Sequence, residues 1–240
     1  MQNTLKKMSA LWIALGMIAS LAACGSSNRS DVPDPDTPPA DLPAVQDGDS
    51  GSDEDSRTAP DGTANESRAL VAYFSLAGEQ YNVGVIEEGN TSIIAHMIAE
   101  QIGADLFEIE AAVPYPETHS ELLDVSRQEM ADHARPEIVG TVDNMADYDT
   151  VFIGYPNWWG DMPMIVYTFL ETYDLNGKTI VPFCTHGGSG LSGTERTIAE
   201  LYPDAAMIDG FAISGETAQN NRENAQQEVT DWLRHGGLIA

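Results

Sequence analysis

Cysteine is nearly absent from this 240-residue chain, which has only Cys24 and Cys184. That excludes a disulfide-stapled miniature fold and leaves too few thiolates for a structural zinc cluster. Basic residues are scarce as well: 11 Lys and Arg stand against 38 Asp and Glu, a formal charge of −27. Such a chain repels phosphates, so nucleic-acid binding through a basic footprint is excluded. The five histidines (His96, His119, His133, His186 and His235) show no paired metal-ligand spacing. Beyond residue 23 there is no long apolar run and hence no second candidate for a membrane segment. Apolar residues still make up 42% of the chain, enough for a core, so wholesale disorder is ruled out.

The N-terminal region divides in two. Lys6 and Lys7 precede an apolar run from Ala10 to Ala23, short for a membrane helix but right for the core of a signal peptide. It ends in Leu21-Ala22-Ala23-Cys24, which resembles the lipobox of bacterial lipoproteins. The resemblance implies removal of residues 1–23, lipid on Cys24, and a tether to a membrane on its extracytoplasmic face. The alternative is an ordinary cleaved signal with a chance cysteine. No twin-arginine pair is present, which favours export in the unfolded state. From residue 25 to 68 the chain is rich in Asp, Ser, Pro and Gly, with eleven acidic and three basic residues. It lacks the apolar surface to offset its chain entropy, so residues 24–68 are expected to be an extended acidic spacer. The folded domain should occupy residues 69–240, itself acidic with 27 acidic and six basic side chains.

Within that domain strands and helices alternate. Ala69–Ser75 and Thr150–Tyr155 are short, nearly continuous apolar runs, the pattern of strands buried on both faces. Asp105–Glu110 alternates apolar and acidic residues, as a wetter edge strand would. Lys178–Cys184 and Ala206–Ile213 also read as extended, although Pro182 fits only if a bulge or strand end falls there. Helical spacing marks Asn90–Ile102 with a stop at Gly103, then about Pro116–Ala134, Met162–Tyr173, Leu191–Leu201 and Thr217–Leu233. Five such alternations predict an α/β fold, an open parallel sheet with helices on both faces.

Ligands in such sheets bind beyond the carboxyl ends of the strands, near the point where the winding reverses. Three loops there carry chemistry. After the first strand, Ser75 and Gly78 precede an insertion, Glu79–Glu88, and then Asn90, Thr91 and Ser92 open a helix. Hydroxyls and free N–H groups at a helix start suit an anion, although a simple N-cap would use the same residue types. No Lys or Arg lies in this loop to help. The next loop is Pro156-Asn157-Trp158-Trp159-Gly160: its planar side chains suit stacking on a flat ring, with the Asn157 amide offered to the ring's edge, unless both indoles pack locally under the loop. The third, Thr185-His186-Gly187-Gly188-Ser189-Gly190, lets backbone approach a ligand closely; His186 reads either as a general base or as a loop hydrogen-bonding residue. A lipase-like elbow is absent, because the Gly-x-Ser-x-Gly pattern ends on Leu191 around Ser189 and on Thr194 around Ser192.

Together these loops resemble the flavodoxin family, above all in Tyr155-Pro-Asn-Trp-Trp-Gly160 and Pro182-Phe-Cys-Thr-His186. The resemblance implies a flavodoxin-like doubly wound five-stranded sheet of order 2-1-3-4-5 and non-covalent FMN. By position, Ser75, Gly78, Asn90, Thr91 and Ser92 would cradle the phosphate. Pro156, Asn157, Trp158, Trp159 and Gly160 would face one side of the flavin, and Thr185, His186, Gly187, Gly188 and Gly190 the other. The Glu79–Glu88 insertion departs from the compact family loop and leaves Tyr81 and Asn82 either in the pocket or above it. The implied function is electron transfer to a redox partner protein or a small acceptor. Two alternatives stand beside it: a nicotinamide-dependent quinone or flavin reductase, and a tethered scaffold that binds no flavin.

Overall fold

The computed structural model describes residues 68–240. The expected signal peptide, Cys24 and all but the last residue of the expected acidic spacer lie outside the described residues. In chain order the elements are β1 (Ala69–Tyr73), β2 (Gly78–Gln80), β3 (Gly84–Ile86), α1 (Asn90–Ile102), β4 (Asp105–Glu108) and β5 (Glu110–Ala111). There follow α2 (His119–Asp132), β6 (Ile138–Val139), β7 (Thr150–Pro156), α3 (Met164–Thr172) and β8 (Thr179–His186). The chain ends with α4 (Thr194–Leu201), β9 (Ala206–Met207), β10 (Phe211–Ser214), α5 (Gly215–Asn220) and α6 (Arg222–His235).

The main sheet runs β4-β1-β7-β8-β10, and all of its pairings are parallel. Taken as five strands in sequence, this is the 2-1-3-4-5 order. The apolar runs are explained by alternation across the sheet. Leu70, Ala72 and Phe74 enter one core layer with Val151, Ile153, Tyr155, Ile180 and Cys184, covered by Ile165, Phe169 and Leu170 of α3 and Ile198 of α4. Val71 and Tyr73 enter the opposite layer with Phe152, Val181 and Phe183, beneath Ile94 and Ile98 of α1 and Val229 and Leu233 of α6. β1, β7 and β8 are apolar at successive positions because both of their faces are dry. Gly154 is a packing glycine, since a Cβ there would overlap the ring of Phe183.

Pro182 sits inside β8, opposite Ile153 of β7. The fifth strand absorbs the problem. Residues 206 and 207 pair with 179 and 180, and pairing resumes at 211 opposite 183, so three residues of that strand oppose two of β8. Ile208 donates to the Ile180 carbonyl, which puts the backbone of every second β8 residue, Pro182 included, toward the fifth strand. The bulge therefore falls where proline has no N–H to give.

Other departures from the sequence reading have local causes. The insertion after β1 is an antiparallel hairpin, β2–β3, turning through Asn82 and Gly84 with φ of 60° and 92°. The helix expected from Leu191 starts at Thr194, because Ser192 and Gly193 are both left-handed. The closing helix is two helices: Asn221 leaves the helical region with φ −142° and ψ 63°, and its side chain accepts from the Asn224 N–H to cap α6. A second small antiparallel pair, β5–β6, was not signalled by periodicity.

Candidate functional site

The crevice lies where β1 is flanked by β4 on one side and β7 on the other, so the chain leaves β1 and β7 in opposite directions. A cavity of about 470 Å³ opens there, within the range of small-molecule sites. Of the residues singled out above, Asn90, Pro156, Asn157, Trp158, Trp159, Gly160, Thr185, His186 and Gly187 line it. Ser75, Gly78, Thr91, Ser92, Gly188 and Gly190 do not.

The first loop is tightly closed. Gly89 precedes α1, and a Cβ there would overlap Ser75 Oγ and lie 2.6 Å from the Leu76 carbonyl oxygen. Ser75 Oγ accepts from the Ser92 N–H at 3.0 Å, which leaves its own proton to donate. The Thr91 and Thr185 hydroxyls meet at 2.8 Å and bind the start of α1 to the end of β8. Asn90 turns to the cavity, and its buried Oδ1 has no partner among the described residues. The remaining positions of the expected cradle point elsewhere. The Ser92 hydroxyl lies 3.5 Å from Glu88 Oε1 and 3.3 Å from His96 Nδ1, a poor place for an anion. Gly78 packs against the backbone of Glu117.

In the second loop the backbones of Trp158 and Asp161 bond to each other twice, at 2.9 Å each. The Asn157 amide is not offered to a ligand. Its Nδ2 donates to the Gly190 carbonyl at 2.8 Å and to Ser192 Oγ at 3.0 Å, and its Oδ1 accepts from the Gly160 N–H at 3.0 Å. It thus fastens the second loop to the third. The tryptophans divide their roles. Trp158 is half-buried, edge-on to Phe74 and Tyr115 with centroids 5.5 Å from each. Trp159 is 47% exposed, with its Nε1–H on Ser126 Oγ at 3.0 Å and the Arg127 guanidinium 4.6 Å above its ring. Its φ of 58° is unusual for a bulky side chain and aims the indole out of the loop.

In the third loop His186 Nδ1 accepts from the Gly188 N–H at 2.9 Å, which places the proton of the neutral ring on Nε2. Burial lowers the pKa of His186 from the ordinary histidine value, which favours the neutral ring. Cys184, just beneath, donates to the Gly190 carbonyl at 3.3 Å. Burial pushes its thiol up to about 12, so it is no thiolate nucleophile.

The cavity has further walls that sequence reasoning did not assign: Gln80, His119, Leu122, Leu123, Ser189 and Gly215, with Tyr81 from the insertion. His119, Leu122 and Leu123 are spaced to share a helix face, a signal visible in the sequence. Periodicity defines such a face without saying what lies opposite it. Gly215 is where α5 approaches α1, since a Cβ there would lie 2.5 Å from Asn90 Nδ2.

A doubly wound parallel sheet with a cavity between the β1, β7 and β8 loops defines an α/β ligand-binding domain of flavodoxin type. The chain belongs to the flavodoxin family, whose model matches residues 68–234. Among solved structures it is similar to a protein of Bacteroides eggerthii provisionally classed as a flavoprotein. That pair has 32% identity and a TM-score of 0.57, over 71% of this chain and 98% of that one. A counterpart from Bacteroides uniformis, likewise provisionally classed, gives 32% identity and a TM-score of 0.56 over 68% and 98%. A Lactobacillus acidophilus flavoprotein, solved in complex with FMN, shares the fold at 20% identity and a TM-score of 0.51, over 69% and 98%. Among curated protein sequences no match was found.

Proposed function

We propose that this protein binds FMN non-covalently and serves in electron transfer from a lipid tether on the extracytoplasmic face of a membrane. The observation that carries the cofactor reading is the cavity itself, framed by all three sheet-end loops and floored by an unsatisfied acceptor. A buried carbonyl without a donor is costly, and a ligand hydroxyl at Asn90 Oδ1 would satisfy it. The N–H groups of Asn90 and Thr91 open the 13-residue α1, where the helix dipole favours a phosphate. In a domain with so few basic residues that backbone field does the work of Lys or Arg. Trp158 and Trp159 offer apolar surface to a flat ring, and Gly187 brings backbone close to it. The residues fit FMN.

When bound, FMN supplies reversible one- and two-electron chemistry. The chain's part is to hold it and set its potential. Indoles and an acidic surround disfavour added negative charge, which lowers the potential. The same surface steers basic partners, an attraction that weakens with salt. The tether reading rests on Leu21-Ala22-Ala23-Cys24.

The full chain should show visible flavin absorption with quenched fluorescence, and denaturation should release a molecule of FMN mass. A colourless protein that ignores added FMN would overturn the cofactor reading. In the expressing cell, the membrane-bound protein should begin at Cys24 and carry covalent lipid by mass, and Cys24→Ser should abolish that lipid. A membrane-bound chain with no lipid on Cys24 would overturn the tether.

A further inference from the structure

Gln80, Tyr81, His119, Leu122 and Leu123 line the cavity but come from the β2–β3 hairpin and α2, not from the three loops assigned to FMN. This second wall is firmly built. The Glu79 N–H donates to the Glu117 carbonyl at 2.8 Å, and Glu79 Oε2 accepts from the His119 N–H at 3.0 Å. Where the hairpin leaves for α1, the Glu88 carbonyl accepts from Gln219 Nε2 at 2.6 Å and the Glu88 carboxylate pairs with Arg222 at 3.0 Å. Tyr81 stacks on His119, with centroids 5.9 Å apart and planes at 30°, and its ring covers Gly187, where a Cβ would lie 2.7 Å from Tyr81 Cδ1. Though 61% exposed, Tyr81 is held between α2 and the third loop.

We propose that this wall forms, beside the flavin, a compartment for a small, uncharged, planar conjugated molecule with hydrogen-bonding edges. The inference rests on the flavin reading above and names the second ligand of the same cavity. Each feature of the wall selects part of that description. Leu122 and Leu123 give apolar contact, and the Tyr81 and His119 rings favour a flat partner. Gln80 donates one Nε2–H to the Ala77 carbonyl at 3.2 Å, which leaves its second N–H as a donor and Oε1 as an acceptor, and the His119 imidazole is engaged in no hydrogen bond among the described residues. The cavity is lined by no Lys, Arg, Asp or Glu. A phosphate-bearing dinucleotide would find no cation there, inside a domain already strongly negative, and a cationic ligand would find no carboxylate. The wall is fixed before binding, so little ordering opposes it.

The probe is duroquinone, neutral and flat, whose fully methylated ring has no open carbon for a thiol to attack. Anthraquinone-2-sulfonate is the anionic comparison. The oxidised full chain is first assayed for bound FMN by absorbance, then titrated with each probe and followed by ligand-detected NMR. Saturable duroquinone binding, weaker binding of the sulfonate, and a loss of about tenfold or more in both Tyr81→Ala and Leu123→Asp are expected. The exposed Tyr81 position keeps the test informative should Leu123→Asp fold poorly. Flavin absorbance without duroquinone binding, or equal binding by both variants, overturns the compartment and leaves the cofactor reading intact. A chain that stays flavin-free when FMN is added overturns the cofactor reading, and with it a compartment defined beside the flavin, whatever its affinity for duroquinone.

Discussion

Gly89→Ala is expected to destabilise the domain by about 1–3 kcal/mol and to weaken FMN binding by about tenfold or more. The backbone at Gly89 has φ −65° and ψ 147°, which any residue adopts, so the effect is steric and not conformational. The added methyl would overlap Ser75 Oγ and stand 2.6 Å from the Leu76 carbonyl oxygen. The serine hydroxyl can rotate away, but only by giving up the Ser92 N–H. The carbonyl belongs to backbone continuing from β1, so the relief must come from α1 moving off the sheet. That movement would also part Thr91 from Thr185 and displace the N–H groups at the start of α1 that we propose hold the phosphate. Ser75→Ala in the same chain removes one obstacle and leaves the other, so it should restore only part of the stability. Urea denaturation read beside an FMN titration checks this, and a Gly89→Ala protein unchanged in both would refute the close approach.

That site was legible where the sequence pattern and the physics had one solution. Continuous apolar runs such as Leu70–Phe74 can be dry on both sides only inside a covered sheet, and α1 announces itself by a single apolar face and a left-handed Gly103. The loops after β1, β7 and β8 were found because their glycines, amide and indoles have few other uses together. Side-chain partners were less accessible. Nothing in Tyr155-Pro-Asn-Trp-Trp-Gly160 says that Asn157 will spend its amide on Gly190 and Ser192, more than thirty residues away. The hairpin escaped because three-residue strands with exposed Glu79 and Val85 have no core-facing alternation to read. The bulge opposite Pro182 shows the reverse case: proline in a central strand demanded an irregularity, and the neighbouring strand supplied it.

Trp158→Ala and Trp159→Ala should both weaken FMN binding, yet differ sharply in stability. Trp158 holds Phe74 and Tyr115 edge-on, so its loss opens a void at the rim of the core and should cost about 3 kcal/mol. Trp159 is itself 47% exposed, gives one hydrogen bond to the buried Ser126 of α2 and lies under the exposed Arg127, so its loss should cost about 1 kcal/mol, the worth of that one bond. The backbone offers a further discrimination. With φ 58° at position 159, Trp159→Gly should be more stable than Trp159→Ala by up to about 1 kcal/mol, while both lose the indole and bind FMN equally weakly. Binding lost together with stability at 158, and apart from it at 159, identifies the first as a structural wall and the second as the ring that faces the ligand. If FMN affinity is unchanged in all three variants, neither indole touches the flavin, and the ring must be sought against the Tyr81 wall instead.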